Sequence, residues 1–326
     1  MKKRLYIIGN GFDLHHELRT SYWDFSEYLK ENDSELYYLL DSYTYYPATE
    51  ESLWSKFEEN LANLEINDIL SDNTDRLPDY ASDDFRDRDR HVFPDVMDGY
   101  HSKLTIGLLE IFKRFIQDVE VPKKAFGYKI ELDKSASFLS FNYTDTLQRL
   151  YNIDKDKIVY LHNSAFESDD VILGHGTDPK KFEEKKPLPP DGLTEEQLEQ
   201  WHDEHDDWDY SYDTGKVTIM RYYRDTFKPT NEVINNHSSF FEKIGEFDEI
   251  HILGHSLSNV DLPYFREIIK NSNPNTKWNV SYYDNKEMEN QLQTLLSLDL
   301  KEENISFFEM EDILVDNKQM EIDFNS

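Results

Sequence analysis

The chain has 326 residues, of which 35 are Lys or Arg and 67 are Asp or Glu, so its formal net charge at pH 7 is −32. A field of this size repels phosphate backbones at long range, which disfavours extended nucleic acid as a partner but still permits one nucleotide or a short RNA in a local groove. The sequence contains no cysteine, which excludes disulfides, thiolate nucleophiles and zinc sites built on Cys ligands.

The amino-terminal region carries no targeting pattern. The apolar run at residues 5–8 is too short for the apolar region of a signal peptide, and no stretch approaches the roughly 20 apolar residues of a membrane span. We therefore expect a cytoplasmic protein without membrane segments.

The predicted elements follow the order strand, turn, helix. A first strand at residues 5–8 stops at Gly9-Asn10-Gly11, and helical spacing runs from Phe12 to Leu29. The same order returns after the apolar runs at 136–141 and 250–253. Four further β-like runs are short and apolar: 158–161, 171–173, 277–283 and 305–308. Buried strands that alternate with helices predict a Rossmann-like α/β fold, with a mostly parallel sheet flanked by helices.

Two long tracts interrupt this order. Residues from about 31 to 133 carry apolar side chains at helical spacing and predict a large helical insertion. Residues 178–246 include a proline-rich segment from Pro187 to Pro190 and an acidic run at 203–209. We expect a second, lid-like insertion here. We expect one α/β domain, 1–326, that carries both insertions.

The first candidate binding residues lie where the first strand passes into a helix. Gly9-Asn10-Gly11-Phe12-Asp13 occupies the position at which backbone amides hold the pyrophosphate of a dinucleotide. Leu14 stands where the complete fingerprint has its third glycine. An ordinary turn, with Asp13 as the helix N-cap, is therefore the alternative interpretation.

Polar residues also follow the second and third strands. Asn142 comes directly after Phe141, where its amide can bind a ribose hydroxyl or place a water, or else cap the next helix. His162 follows the strand at 158–161, and a neutral imidazole there can accept a proton near neutral pH. A structural, hydrogen-bonded histidine is the alternative.

Two later loops repeat the pattern. Gly174-His175-Gly176 either faces a ligand with its imidazole or forms a hairpin corner. In Gly254-His255-Ser256, the serine suits a phosphate or ribose, and Asp261 suits a hydroxyl; the spacing of Ser258 and Asp261 also fits a capping box.

Two other kinds of site are disfavoured by the same loops. The last loop lacks the Gly-x-Ser-x-Gly elbow of a serine hydrolase. The histidines have no carboxylate at metal-ligand spacing, so we expect no metal.

In order and spread, these motifs resemble the AbiH family of phage-defence proteins. More distantly they resemble the sirtuin-like NAD hydrolases of other defence systems. The resemblance implies that Asn142 and His162 are the catalytic pair. It also implies nucleotide-binding residues at the strand ends: Gly9, Asn10, Gly11, Phe12, Asp13, His175, Gly254, Ser256 and Asp261.

The resemblance implies a bacterial anti-phage effector that hydrolyses NAD or a related ADP-ribosyl nucleotide in response to a phage-derived trigger or partner protein. Two positions depart from the hydrolase pattern, since Thr144 stands in place of Asp and Asn163 in place of Gly. The absence of cysteine excludes the zinc module of deacylating sirtuins. An RNA-cleaving or translation-blocking toxin that uses His162 and His175, and a non-catalytic nucleotide sensor, are the alternatives; assembly into a homo-oligomer is left open.

Overall fold

A computed structural model describes residues 2–48, 52–184, 188–190, 192–198, 201 and 208–315. The chain divides into two compact units. The first unit comprises three segments: Met1–Asn32, Leu109–Gly176 and Lys228–Ser326. The second unit comprises the other two: Asp33–Leu108 and Thr177–Phe227. Both segments of the second unit overlap the predicted insertions, and the single-domain interpretation stays a prediction.

The first unit is built on a six-stranded sheet whose neighbouring strands are all parallel. Its strands are β1 (Arg4–Ile8), β2 (Ser137–Ser140), β3 (Ile158–Tyr160), β4 (Glu249–Leu253), β5 (Lys277–Ser281) and β6 (Ile305–Phe308). Their spatial order, β3-β2-β1-β4-β5-β6, confirms the predicted Rossmann-like α/β fold. In this order the sheet is wound in opposite directions from β1 and β4, and open α/β sheets bind ligands at such a switch point.

The helices of the first unit connect these strands. They are α1 (Asn10–His15), α2 (Tyr22–Asn32), α7 (Leu108–Asp118, whose first residue belongs to the second unit), α8 (Thr146–Tyr151), α11 (Thr230–Asn236), α12 (Ser238–Phe241), α13 (Leu262–Asn271) and α14 (Asn285–Ser297). The continuous helical pattern from Phe12 to Leu29 therefore belongs to two helices. The helices of the second unit are α3 (Ser34–Tyr43), α4 (Phe57–Asn60), α5 (Ile66–Asp72), α6 (Val92–Ser102), α9 (Tyr210–Met220) and α10 (Tyr222–Asp225).

The central strands are apolar because both faces of the sheet are covered there. Successive side chains of a strand point to opposite faces. Leu5 and Ile7 are fully buried in one core, whereas Tyr6 and Ile8 belong to the core on the other face. This double burial produces the continuous apolar runs that identify the strands in the sequence.

One sequence interpretation is wrong, the predicted insertion bounds differ from the grouping into units, and one predicted feature lies outside the described residues. The run at 171–173 is not a strand; its backbone is held in a loop, where Ile172 N donates to His162 O at 3.0 Å. Residues 109–133 and 228–246, which we assigned to insertions, are grouped with the first unit. Most of the acidic run, 203–207, lies outside the described residues.

Among the described residues, no helix has both the length and the apolarity that a membrane crossing requires.

Replacement of Gly254 by Ala should destabilise the protein by at least about 2 kcal/mol. Gly254 has a φ of +63°, which costs an L side chain roughly 1–2 kcal/mol, and an added Cβ would lie 2.1 Å from the amide nitrogen of Phe12. Urea unfolding followed by circular dichroism measures the change. As a control, Gly99→Ala in α6 adds a methyl with no atom within 4 Å, so it should stabilise its helix by about 0.5–1 kcal/mol. An unchanged urea midpoint in Gly254→Ala would contradict the close packing of the loop.

Candidate functional site

The loops after β1 and β4 contact each other through backbone atoms. Gly9 N donates to Leu253 O at 2.9 Å, and Gly11 N donates to Gly254 O at 2.7 Å. A Cβ on Gly9 would lie 2.6 Å from Gly254 O, so a side chain at this position would separate the loops. These two amides are thus used to join the loops in this conformation.

The other residues of the first motif separate into exposed and buried positions. Asn10 is exposed, and its side-chain Nδ2 donates to Thr20 O at 3.1 Å, whereas Phe12 is fully buried. Gly9 is the N-cap of α1, and Asp13 lies inside the first turn. The interpretation of Asp13 as the N-cap is therefore wrong.

Asp13 is a buried carboxyl group with incomplete hydrogen bonding. Thr144 Oγ1 donates to Asp13 Oδ2 at 2.6 Å, and Thr146 Oγ1 donates in turn to Thr144 Oγ1 at 3.1 Å. Within the described residues, Asp13 Oδ1 has no hydrogen-bond partner. Burial raises the pKa of Asp13 to about 6, although the nearby threonine hydroxyls and the amide of Asn142 oppose the shift. Thr144, the first departure from the hydrolase pattern, is thus in direct contact with a carboxyl group.

Asn142 lies against the first loop. Its Nδ2 donates to Gly9 O at 3.0 Å, and the residue is 5% exposed. The next helix, α8, begins only at Thr146, with Asp145 at its N-cap. Asn142 therefore does not cap this helix, and its side chain connects the β2 loop to the β1 loop.

His162 is buried with one ring nitrogen committed to the backbone. Its Nδ1 lies 3.1 Å from Phe141 O, so this nitrogen carries the proton of the neutral ring and donates it. The other nitrogen, Nε2, is a buried acceptor without a hydrogen-bond partner in the described part of the chain. The rings of Phe141, Tyr143 and Tyr264 surround the imidazole. Burial, assisted by the positive charge of Lys228, lowers the pKa of His162 to about 3.

Asp261 joins several side chains of the site. Its Oδ1 lies 3.1 Å from Lys228 Nζ and 3.5 Å from His162 Nε2. Its Oδ2 accepts from Ser258 Oγ at 3.0 Å and lies 3.5 Å from His255 Nε2. Burial opposes ionisation of Asp261, but the charge of Lys228 and the adjacent imidazoles hold its pKa below the usual range.

The start of α13 differs from the predicted capping box. The helix begins at Leu262, with Asp261 at its N-cap, so Ser258 is not the N-cap. Ser258 instead donates its hydroxyl to the Asp261 carboxylate. The capping-box interpretation is therefore wrong.

The loop after β4 is fixed from several sides. His255 Nδ1 accepts from Leu257 N at 2.9 Å, and Gln291 Nε2 donates to His255 O at 3.1 Å. Leu257 has a φ of 56°, a conformation that is rare for residues other than glycine and often marks a functional loop. Ser256 is exposed on the outside of this loop.

His175 and Asn163 complete the set of predicted positions. His175 is fully buried, and its carbonyl oxygen accepts from Lys228 N at 2.8 Å. Asn163 has a φ of 62° and donates through Nδ2 to Asp170 O at 3.0 Å. Since Asn tolerates the left-handed conformation better than most residues, the chain keeps a glycine-like turn at this second departure from the pattern.

The structure brings most of the predicted residues to one edge of the sheet. Contacts connect the loops after β1, β2, β3 and β4, with Asn142, His162 and Asp261 buried and Asn10 and Ser256 exposed. A groove of about 900 Å³ lies elsewhere on the first unit, along one face of the sheet, where Tyr6, His251 and residues 129–134 line it. None of the predicted site residues lines this groove. In this conformation the candidate residues are assembled but covered.

Three supporting residues were missed by the sequence interpretation. Lys228 pairs with Asp261, while Gln291 and Ser281 hold the β4 loop, since Ser281 Oγ accepts from Gly254 N at 2.8 Å. Ser281 ends β5, so the same rule of polar residues at strand ends could have found it. Lys228 follows no strand, and nothing in its local sequence distinguishes it from a surface lysine.

The strand order and the polar loops at the switch point define an α/β protein of the Rossmann-like class. A family model described as bacteriophage abortive infection AbiH matches residues 5–282, and the chain belongs to this family. The match includes every candidate site residue. Comparison with curated proteins gave no match, and comparison with solved structures gave none either. The likeness to sirtuin-like NAD hydrolases stays a prediction.

Replacement of Asp13 by Asn should stabilise the protein at pH 8. The folded-state pKa of Asp13 is raised from 3.8 to about 6, so the wild type loses stability as the pH rises through this interval. Asn cannot ionise, and the variant should gain roughly 2–3 kcal/mol at pH 8 and nothing below pH 4. Urea titrations at both pH values measure the difference.

The exposed substitution Asp156→Asn is the matched control and should change little at either pH. A difference between Asp13→Asn and the wild type that is the same at pH 4 and pH 8 would rule out a buried, reluctantly ionised carboxyl group.

Proposed function

We propose that the first unit binds NAD, or a related ADP-ribosyl nucleotide, and hydrolyses its N-glycosidic bond as the effector step of abortive infection. The observation that carries this proposal is the convergence of Asn142, His162 and Asp261 beside the Gly9–Gly254 loop contact. This convergence occurs at the switch point of the sheet, where related folds bind nucleotides.

Unsatisfied acceptors in the site favour a ligand rich in hydroxyl groups. His162 Nε2 and Asp13 Oδ1 are both buried, and neither has a hydrogen-bond partner among the described residues. A buried acceptor without a donor costs free energy, and a ribose hydroxyl supplies such a donor. The exposed Asn10 and Ser256 lie on the outer loops and are suited to the phosphates.

The proposed reaction uses a neutral histidine as a base. The C1′–nitrogen bond breaks, nicotinamide leaves with the bonding electron pair, and a water oxygen forms the new bond to C1′. Asn142 orients this water or the ribose, and the proton released from the water passes to His162 Nε2 and then to solvent. The lowered pKa of His162 keeps its imidazole unprotonated throughout the neutral range.

The covered state of the site supports a proposal that opening of the site controls the reaction. His162 is 2% exposed and lies among three aromatic rings, so NAD must displace part of this cover. We therefore assign the described conformation to the resting protein. A phage-derived trigger opens it, and depletion of NAD then arrests the infected cell.

Purified protein should release nicotinamide from NAD when an extract of phage-infected cells is added. His162→Ala should lower this rate at least about 100-fold, the usual scale for loss of a general base. Product chromatography measures nicotinamide and ADP-ribose. His237→Ala, which changes a half-buried histidine outside the site, should keep the wild-type rate.

Two outcomes contradict the proposal. Wild-type rates in His162→Ala would remove the histidine from the mechanism. Tight NAD binding by calorimetry, with no product under any extract, would identify a non-catalytic nucleotide sensor instead.

A further inference from the structure

Lys228 is a fully buried lysine that the proposed reaction does not use. Its side chain has no exposed surface, and it is the first residue of the first unit after the segment that ends at Phe227. A buried ammonium group is strongly unfavourable unless it is paired, and here the Asp261 carboxylate lies 3.1 Å away. The chain therefore maintains an ion pair in its interior, directly beside the proposed base.

The ion pair lies between two imidazoles. Asp261 presents Oδ1 to His162 Nε2 and Oδ2 to His255 Nε2, each at 3.5 Å. A carboxylate so close to an imidazole favours the protonated ring, which cannot act as a base. The ammonium group of Lys228 opposes this effect, because it neutralises the carboxylate and repels a second positive charge.

The backbone of Lys228 is also fixed in place. Its N–H donates to the carbonyl of His175, and Thr230 N donates to the carbonyl of Lys228, both at 2.8 Å. The side chain thus extends toward Asp261 from a main chain that is tied to the Gly174-His175-Gly176 motif. This gives the buried His175 loop a role as support for the ion pair.

We propose that Lys228 is a positioning residue, which holds the Asp261 carboxylate between the two histidines and offsets its attraction for a proton on His162, so that the ring stays neutral further into the acid range. The catalytic meaning of this role rests on the proposed function, but the electrostatic role does not. The other titratable groups that face His162 are His255 and Asp261 from the β4 loop, Tyr264 from α13 and Tyr143 from the β2 loop.

Lys228→Met tests the electrostatic role without any substrate. This variant removes the cation and keeps an unbranched side chain of similar length, so His162 should protonate at a pH at least about 1 unit higher than in the wild type. Histidine ring signals in two-dimensional NMR spectra follow protonation through an acid titration that extends down to the wild-type pKa of about 3, and His162→Gln assigns the relevant signal. Lys228→Arg keeps a cation and should behave as the wild type. Lys270→Met, which changes a largely exposed lysine, should leave the signal unchanged.

The outcomes separate this inference from the proposed function. A shifted His162 signal in a protein that never cleaves NAD supports the role of Lys228 and removes the hydrolase. If cleavage occurs, the acid limb of kcat/KM in Lys228→Met should move upward by the same amount as the NMR titration. An unshifted His162 signal in Lys228→Met overturns the inference.

A second variant covers the case in which Lys228→Met does not fold. Asp261→Asn removes the anion and leaves the cation, so His162 should become protonated at a lower pH than in the wild type. A His162 ring that becomes protonated at a higher pH in Asp261→Asn than in the wild type overturns the inference.

Discussion

The candidate site depends on a close approach of two backbone loops at the switch point of the sheet. Since β1 and β4 are parallel neighbours, the turns that leave them meet at one edge. Gly254 adopts a left-handed conformation there and packs against the backbone of Gly11 and Phe12. A Cβ on Gly254 would lie 2.1 Å from Phe12 N, and a Cβ on Gly11 would lie 2.8 Å from Gly254 O, so neither glycine has room for a side chain. This contact fixes the β4 loop, and with it His255 and Asp261, relative to the β1 loop.

Two buried carboxyl groups of the first unit have pKa values that are shifted in opposite directions. Asp13 and Asp261 are both almost inaccessible, yet the pKa of Asp13 is raised whereas that of Asp261 is lowered. The difference comes from their partners: Asp13 has neutral hydroxyl and amide neighbours, and Asp261 has the ammonium group of Lys228. Opposite pKa shifts in similar side chains of one site are typical of sites that assign separate proton-transfer roles to those side chains.

The sequence predicted the sheet well and the interior of the site only in part. Central strands such as β1 and β4 are buried on both faces, so their apolar runs and the glycines that end them are strong local signals. The rule that polar residues follow parallel strands at one edge of the sheet selected Asn142, His162 and Asp261, and their role in binding a ligand stays a prediction. It could not locate Lys228, because that residue reaches the site from a segment with no strand before it. The local sequence also could not predict the burial of His162, since the rings that cover it come from the β2 loop and from the distant helix α13.

Asn163 and Thr144, the two departures from the hydrolase pattern, have backbone and hydrogen-bond features that bear on the proposed site. Asn163 keeps the left-handed backbone that a glycine would adopt, and it directs its side chain to Asp170 O rather than toward His162. At position 144 the resemblance implies a carboxylate. Thr144 donates instead to Asp13, which lies one hydrogen bond from that position and carries an acceptor with no partner among the described residues. A carboxyl group therefore lies one hydrogen bond from position 144, supplied by α1 rather than by the β2 loop.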